Sequence, residues 1–361
     1  MRLQLAVSFA VWLIAGAVAA AAATIQMTPE LQQVVEAAKK DGALVLNSSP
    51  DVLGGERGLF TAQKDIKEMF GVELDVHFVP GLAMGPTGQK ILTEFRAGQK
   101  SSTDVWTAGA PQAEPLLRID MFNKVDWAKL LPGRIAPSLV EGDGRALMIA
   151  TAVPGVLYNV KLAPWAKDVK VMDDLLKPEL KGKFGVTPYL AGYDVMLSPS
   201  VWGEEKSIAY IKQLSKQVQG LLGCDNEDRI ASGEFIALAM DCAGTGPNKK
   251  PEYQGVLGVQ VISDNAQRRP YYALIPKNAR NPNAAILYTV YLATEAGQRM
   301  LRANWGFDLY EYPESFRHKQ VVALEGQGIK FRDITIGWWS LQTGIAEALQ
   351  RMIKEFISAQ R

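Results

Sequence analysis

The feature that most narrows the fold of this chain is a recurring unit: a helix with one apolar stripe, a glycine or proline stop, and a short apolar strand. Pro29 to Asp41 reads as a helix with Leu31, Val34, Val35 and Ala38 inward, stopped by Lys39-Lys40-Asp41-Gly42 and followed by the strand Ala43 to Leu46. Leu59 to Phe70 and Val72 to Phe78 repeat the unit, and Gln89 to Ala97 and Asp104 to Trp106 repeat it again. Such alternation predicts a mostly parallel sheet covered by helices on both faces. A second series follows: the strands Gly155 to Asn159, Gly185 to Thr187, Val218 to Leu222 and Ile236 to Met240, separated by helices such as Ser207 to Lys216 and Asp225 to Ser232. A chain of 361 residues is too long for one core, so the second series predicts a second α/β lobe.

Near the end of the chain the stretch Tyr271 to Gln298 predicts a strand ending near Ile275, a turn at Pro276 and Asn281-Pro282-Asn283, and a helix capped by Asn283. Ile286, Leu287, Val290, Tyr291 and Leu292 form its inner face, and a second helix starts at Thr294.

The first residues read as a secretory signal peptide over 1–23, with Arg2 before an apolar run and an alanine-rich exit. An uncleaved membrane anchor is the alternative; no cysteine follows to carry a lipid. The expected location is the periplasm. Of 39 basic residues the leader holds one, Arg2, leaving 38 against 38 acidic ones, a neutrality that excludes binding driven by a large positive field, as to nucleic acid. Cys224 and Cys242 are the only cysteines, a pair that can form one disulfide in an oxidising compartment if their strands are neighbours, but not across an inserted strand. With His77 and His318 they show no zinc spacing, and two histidines leave little for a histidine-based triad.

In open α/β sheets ligands bind beyond the carboxyl ends of the strands. The loops there read "LNSSPDVLGGERG", "PGLAMGPTGQ" and "WTAGAPQ" in the first series, and "VTPYLAGYD", "LGCDNE" and "MDCAGTGP" in the second. Glycines and hydroxyls dominate, which suits backbone N–H groups presented to a small polar or anionic ligand.

The segments "VVEAAKKDGALVLNSS", "ILTEFRAGQKSSTDVW", "GVLYNVKLAP", "LLKPELKGKFGV", "IASGEFIALAM" and "IPKNARNPNAAILYTVYLATEAGQ", in that order, resemble the substrate-binding proteins of ABC importers, specifically the ferric-iron-type subgroup of the extracellular solute-binding proteins. The resemblance implies a type II periplasmic-binding-protein fold: two α/β lobes joined by two hinge crossings, near Ala150 to Val156 and Leu257 to Ser263, with a cleft between. It implies lobe 1 at 24–150 and 264–310, lobe 2 at 151–263 and a C-terminal helical segment at 311–361. It implies a monomer that delivers a small-molecule solute to an inner-membrane ABC permease, without catalysis or a cofactor. Closure of the lobes is the signal the permease reads.

The chain departs from the ferric pattern, in which adjacent tyrosines of the second lobe hold the metal. Here "IASGEFIALAMD" continues "CAGTGPNKK", and the one adjacent pair, Tyr271-Tyr272, sits on a strand that sends its rings to opposite faces. That pair is therefore read as structural, and His77 as a packed strand residue. The candidate ligand-binding residues are Ser48, Ser49, Thr87, Thr107, Tyr189, Tyr193, Asp194 and Asp241, with no metal ligand. The serines and threonines offer hydroxyls at helix starts, and the tyrosines a ring or phenol from the other lobe. The two aspartates face a cationic part of the ligand or cap helices. Arg57 is a weaker candidate for an anionic group, and Trp106 is placed on the cleft wall. The expected ligand is a small polar or anionic organic solute; a ferric ion is the alternative, and an enzyme on the same fold a further one.

Overall fold

The computed structural model describes residues 25–360, so the leader expected over 1–23 lies outside the described residues. In chain order the first run is α1 (Pro29–Asp41), β1 (Ala43–Ser48), α2 (Gly55–Phe70), β2 (Asp75–Pro80), α3 (Met84–Arg96), β3 (Trp106–Gly109), α4 (Ala110–Leu117), α5 (Trp127–Leu130), β4 (Val140–Glu141) and β5 (Ala146–Ala152). The second run is β6 (Val156–Asn159), β7 (Gly185–Val186), α6 (Glu204–Leu214), β8 (Gly220–Leu221), α7 (Glu227–Ala231), β9 (Ala237–Leu238), α8 (Gly246–Lys249) and β10 (Leu257–Gln260). The third is β11 (Gln267–Leu274), α9 (Pro282–Ala293), α10 (Glu295–Trp305), α11 (Phe316–Glu325), β12 (Arg332–Asp333), α12 (Ile336–Ser340) and α13 (Ile345–Ser358).

Local chemistry sets several helix ends. The Thr28 hydroxyl accepts the Leu31 N–H at 3.0 Å to start α1, and Gly42, at φ 67°, ends it in the left-handed conformation that glycine adopts without strain. Thr294, Ser315 and Thr335 cap α10, α11 and α12 in the same way. Asn283 does not cap α9. It lies in the first turn, where its N–H and that of Ala284 donate to the Asp41 carboxylate at 2.7 and 3.0 Å, so a carboxylate at the end of α1 replaces the local cap.

Two bodies result. In the first, β1 and β2 pair in parallel, and the returning strand β11 lies antiparallel between β3 and β5, with β4 beyond β5. Asp104 stitches these pieces together: fully buried, its carboxylate accepts from the N–H groups of Val45, Arg280 and Asn281 and from the Asn281 side chain, at 2.8 to 3.0 Å. Helix α9, apolar on nearly every side, is buried against α1. The second body is a sheet in the order β10-β6-β9-β7-β8, whose strands after β6 are two residues long until β10. Two segments join the bodies, 153–155 between β5 and β6 and 261–266 between β10 and β11. The last helices divide between them. Helix α12 packs on α4 and α13 on α6, where Arg351 grips Glu204. Val321 of α11 packs with Val153, Val261 and Ala266 of the joining segments. No described helix is long and apolar enough to cross a membrane.

Three expectations fail here. The sheets are mixed and not mostly parallel: β11 runs antiparallel to β3 and β5, and β6 antiparallel to β9 and β10. Strand β2 begins at Asp75, with Val76 inward, so His77 is exposed and paired with Asp75 at 2.9 Å instead of packed. Trp106 is not on a cleft wall. It is buried in the first body, stacked on Phe122 with ring centroids 5.7 Å apart, and its indole N–H donates to the Met84 carbonyl.

Replacing Asp104 with alanine strands three backbone donors and one amide in a dry site, and should lower unfolding stability by at least about 3 kcal/mol. Urea denaturation checks it; a loss below about 1 kcal/mol would remove Asp104 from this role.

Candidate functional site

The two joining segments touch. Val153 packs with Val261 and Ala266, and a Cβ on Gly155 would lie 2.5 Å from the carbonyl oxygen of Gln260, the last residue of β10, so only glycine lets the first segment approach the strand end this closely. The Gly155 N–H donates to Asp241 at 2.9 Å, and the other Asp241 oxygen accepts the Gly244 N–H at 2.7 Å. Asp241 therefore fastens the loop after β9 to the first joining segment. Burial pushes its carboxyl up to about 6, against the opposing pull of the backbone N–H groups.

Above this base the facing loops converge. Lys249 of the second body reaches Asp51 of the first at 3.1 Å and its own neighbour Glu227 at 2.7 Å, an ion-pair cluster that spans the two bodies. Burial alone would depress the Lys249 ammonium, but the two carboxylates outweigh it and hold the pKa above its ordinary value. Cys224 and Cys242 form a disulfide with Cα atoms 5.7 Å apart. Strand β7 lies between β8 and β9, the arrangement expected to prevent a bridge. The bridge forms because Cys224 sits three residues beyond β8 and Cys242 four beyond β9, so both loops arch over the end of β7. Tyr189, from the loop after β7, rests against the bridge, its hydroxyl 3.6 Å from the Cys242 sulfur and accepting the Cys224 N–H at 3.4 Å.

Tyr271 of β11 supplies the opposite wall. Its ring packs on Trp305 and Phe307, with centroids 5.3 Å away in each case, and it lies in the electrostatic field of Asp51, Tyr189 and Asp241. Burial pushes its phenol up to about 12, so it is a neutral hydrogen-bond donor at ordinary pH. Tyr272 faces the other way and donates to Glu141. The extra residue where the register shifts, Ile149, belongs to β5, so the alternation of the two tyrosines survives.

Residues 61–307, more than half of the chain, match the profile of a family described as bacterial extracellular solute-binding protein. The chain belongs to that family. No curated protein sequence matches it significantly. Among solved structures, the periplasmic binding protein AfuA from Actinobacillus pleuropneumoniae, with fructose-6-phosphate bound, is similar at TM-score 0.65 and 17% identity, covering 88% of this chain and 98% of that one. The substrate-binding protein of an ABC transporter from Agrobacterium tumefaciens gives TM-score 0.66 at 16% identity, covering 88% and 94%. An apo ferric ion-binding protein A from Pasteurella haemolytica gives 0.61 at 16%, covering 88% and 98%. These solved structures are of the two-lobe type, and the fold of this solute-binding protein is theirs.

The solute-binding protein distributes its sequence candidates unevenly. Ser48 is half-buried at the end of β1, and its carbonyl accepts the Gly81 N–H at 2.8 Å. The hydroxyls of Ser49 and Thr87 both donate to the Leu82 carbonyl, at 3.3 and 2.9 Å, which joins the first two loops. Thr107 is buried in β3. Tyr189 is at the cleft, as described. Tyr193 is not available to stack on a ligand: it is fully buried, and burial pushes its phenol far above the usual range. Asp194 faces no open cleft and accepts a two-pronged grip from Arg269, at 2.8 and 2.6 Å. Asp241 likewise spends its oxygens on the backbone. Arg57 is exposed on the far side of α2, lining an open depression of about 560 Å³ with Glu56, Phe60 and Lys64. Sequence reasoning missed Asp51, Lys249 and the outward role of Tyr271. Asp51 and Lys249 lie in or beside the very loops it singled out, but which charges meet across the two bodies is not a local property.

Because the folded protein raises the Asp241 pKa, the protonated form is favoured by folding. Its contribution is fully present below about pH 4 and lost as pH rises through about 6, a change of about 3 kcal/mol for a shift of this size. Unfolding stability of the wild type should therefore fall, relative to Asp241→Asn, between pH 4 and 7. A difference that stays flat across that window would show that the carboxyl titrates normally.

Proposed function

We propose that this protein is the periplasmic component of an ABC importer, a monomer that captures a small polar or anionic organic solute between two lobes and hands it to an inner-membrane permease. The lobes are residues 24–150 with 264–310 and residues 151–263, and 311–361 pack on both. The reading rests on family membership and on one observation in particular. Tyr271 presents a phenol with no hydrogen-bond partner among the described residues, on a wall opposite loops that ion pairs tie across the gap. A half-buried donor left open on a cleft wall in this way is matched by a ligand oxygen. Ser48 and Thr107 add hydroxyls from β1 and β3, the Ser49 hydroxyl, held on the Leu82 carbonyl, fixes the loop beside them, and Tyr189 adds a phenol from the other lobe. Two of the similar structures support this direction, one holding a sugar phosphate and one described as part of an ABC transporter.

A ferric ion is the second reading, favoured by Tyr189 and Tyr271 lying in each other's field from opposite walls. Against it, both phenols are pushed up, chiefly by burial, which opposes the tyrosinate a ferric ion requires. Among the described residues no group of three or more histidine, cysteine, aspartate or glutamate side chains is placed to hold a metal.

A thermal-shift panel of amino acids, polyamines, sugar phosphates, phosphonates and metal ions should return an organic hit. Tyr271→Phe keeps the ring between Trp305 and Phe307 and should weaken that hit about tenfold, the equivalent of about 1.4 kcal/mol. The Ser48→Ala, Ser49→Ala double variant should weaken it at least about tenfold as well. Tight ferric binding, with a charge-transfer colour that vanishes in Tyr189→Phe and Tyr271→Phe, would replace this reading with the second.

A further inference from the structure

Most of the buried arginine charge in this protein is matched by carboxylates: Arg269 by Asp194, and Arg268 by Asp333. Arg317 is different. It is fully buried near the start of α11, where Nη1 donates to the Gln320 side chain at 2.5 Å, Nη2 donates to the Ala243 carbonyl at 3.3 Å, and Nε is buried with no partner. No carboxylate among the described residues forms an ion pair with it. Asp308, the charge that acts on it most strongly, already accepts the N–H groups of Phe316 and Arg317 at 2.7 and 3.0 Å. Arg302 repeats the pattern next door. Its guanidinium lies 3.6 Å from the centre of the Phe316 ring, its Nη1 is buried without a partner, and no described carboxylate pairs with it. The two cations lie in each other's field, and burial drives Arg317 down to about 10.

Arg317 is fully buried and Arg302 half-buried; Asp308 is a carboxylate whose field reaches both, and one carboxylate does not offset two guanidiniums, so the cluster is unfavourable until an anion joins it. Their position ties them to the cleft. The Ala243 carbonyl belongs to the loop after β9, a Cβ on Gly244 would lie 3.6 Å from Arg317 Nη1, and Tyr271 and Asp241 both lie in the field of Arg317.

We infer that Arg317, with Arg302 beside it, is the anion-recognition group of this solute-binding protein, and that its solute carries a phosphoryl or phosphonyl group. The inference rests on the solute-binding reading above. The planar guanidinium offers a fork of N–H donors to two oxygens, and the second arginine offsets a second negative charge, which favours a tetrahedral dianion over a carboxylate. The anion enters when the lobes are apart and the loop at Ala243 is lifted from Arg317, and the Tyr271 phenol donates to the rest of the solute.

The test is calorimetric and thermal-shift titration of the full mature chain with inorganic phosphate, methylphosphonate, acetate, and a panel of neutral sugars and amines. Phosphate and methylphosphonate should bind, acetate more weakly. Arg317→Lys keeps a cation but loses the fork, and should weaken phosphate at least tenfold while its unliganded melting curve stays cooperative; Arg302→Gln should weaken phosphate with less effect on acetate. Should Arg317→Lys fail to fold, Arg302→Gln carries the test alone. If sugars or amines bind and the anions do not, or if both variants hold phosphate as tightly as the wild type, the anion inference is overturned and the solute-binding reading stands. If no member of any class binds, both fall together.

Discussion

The structure depends on a buried polar ladder behind the cleft. Arg269 of β11 grips Asp194 with two hydrogen bonds and also donates to Gln267, while Gln267 and Asn265 both donate to the Gly192 carbonyl, at 2.7 and 3.1 Å. Burial disfavours the Arg269 charge, yet attraction to Asp194 outweighs it and holds the pKa above its ordinary value. The ladder links the strand that returns to the first body with the loop behind β7 of the second. An apolar contact of the same area would tolerate sliding; a planar fork on a carboxylate does not. The two bodies therefore meet in one register, and that register brings Asp51 within reach of Lys249 and Tyr189 into the field of Tyr271.

Sequence patterns revealed what is local. The Gly42 stop and the restart at Thr294 stand where the residues themselves indicate, and β11 with α9 and α10 reads almost directly from Tyr271 to Gln298. Patterns failed where a partner is distant. Asn283 looks like a cap until Asp41, far away in sequence, takes its place. Val72, Leu74 and Val76 are buried in alternation, and that same alternation puts His77 on the outer face, so the residues themselves contradict its reading as packed.

The site was legible in outline only. Of the strand-end loops, the one carrying Asp51 meets the second body at Lys249, and Tyr189 of the loop after β7 lies in the field of Tyr271; Ser48 and Ser49 belong to the first of these loops. Tyr193 and Asp194 come from such a loop too, but one looks like a stacking ring and the other like a free anion only when the partner is unseen. Arg269 consumes Asp194, and packing seals Tyr193. Arg317 offered no signal at all, because an arginine in the first turn of a helix is usually solvated. Its significance comes from what it lacks, and an absent partner is a property of the folded chain.

The disulfide has a bearing on binding strength. Loops that close on a ligand ordinarily surrender conformational freedom at that moment, which weakens affinity. Here the loops after β8 and β9 are cross-linked over the end of β7, and Tyr189 leans on the link. Three otherwise independent segments thus behave as a single lip. The cross-link takes up part of the ordering of these loops when the sulfur–sulfur bond forms, which lowers the conformational entropy they have left to lose.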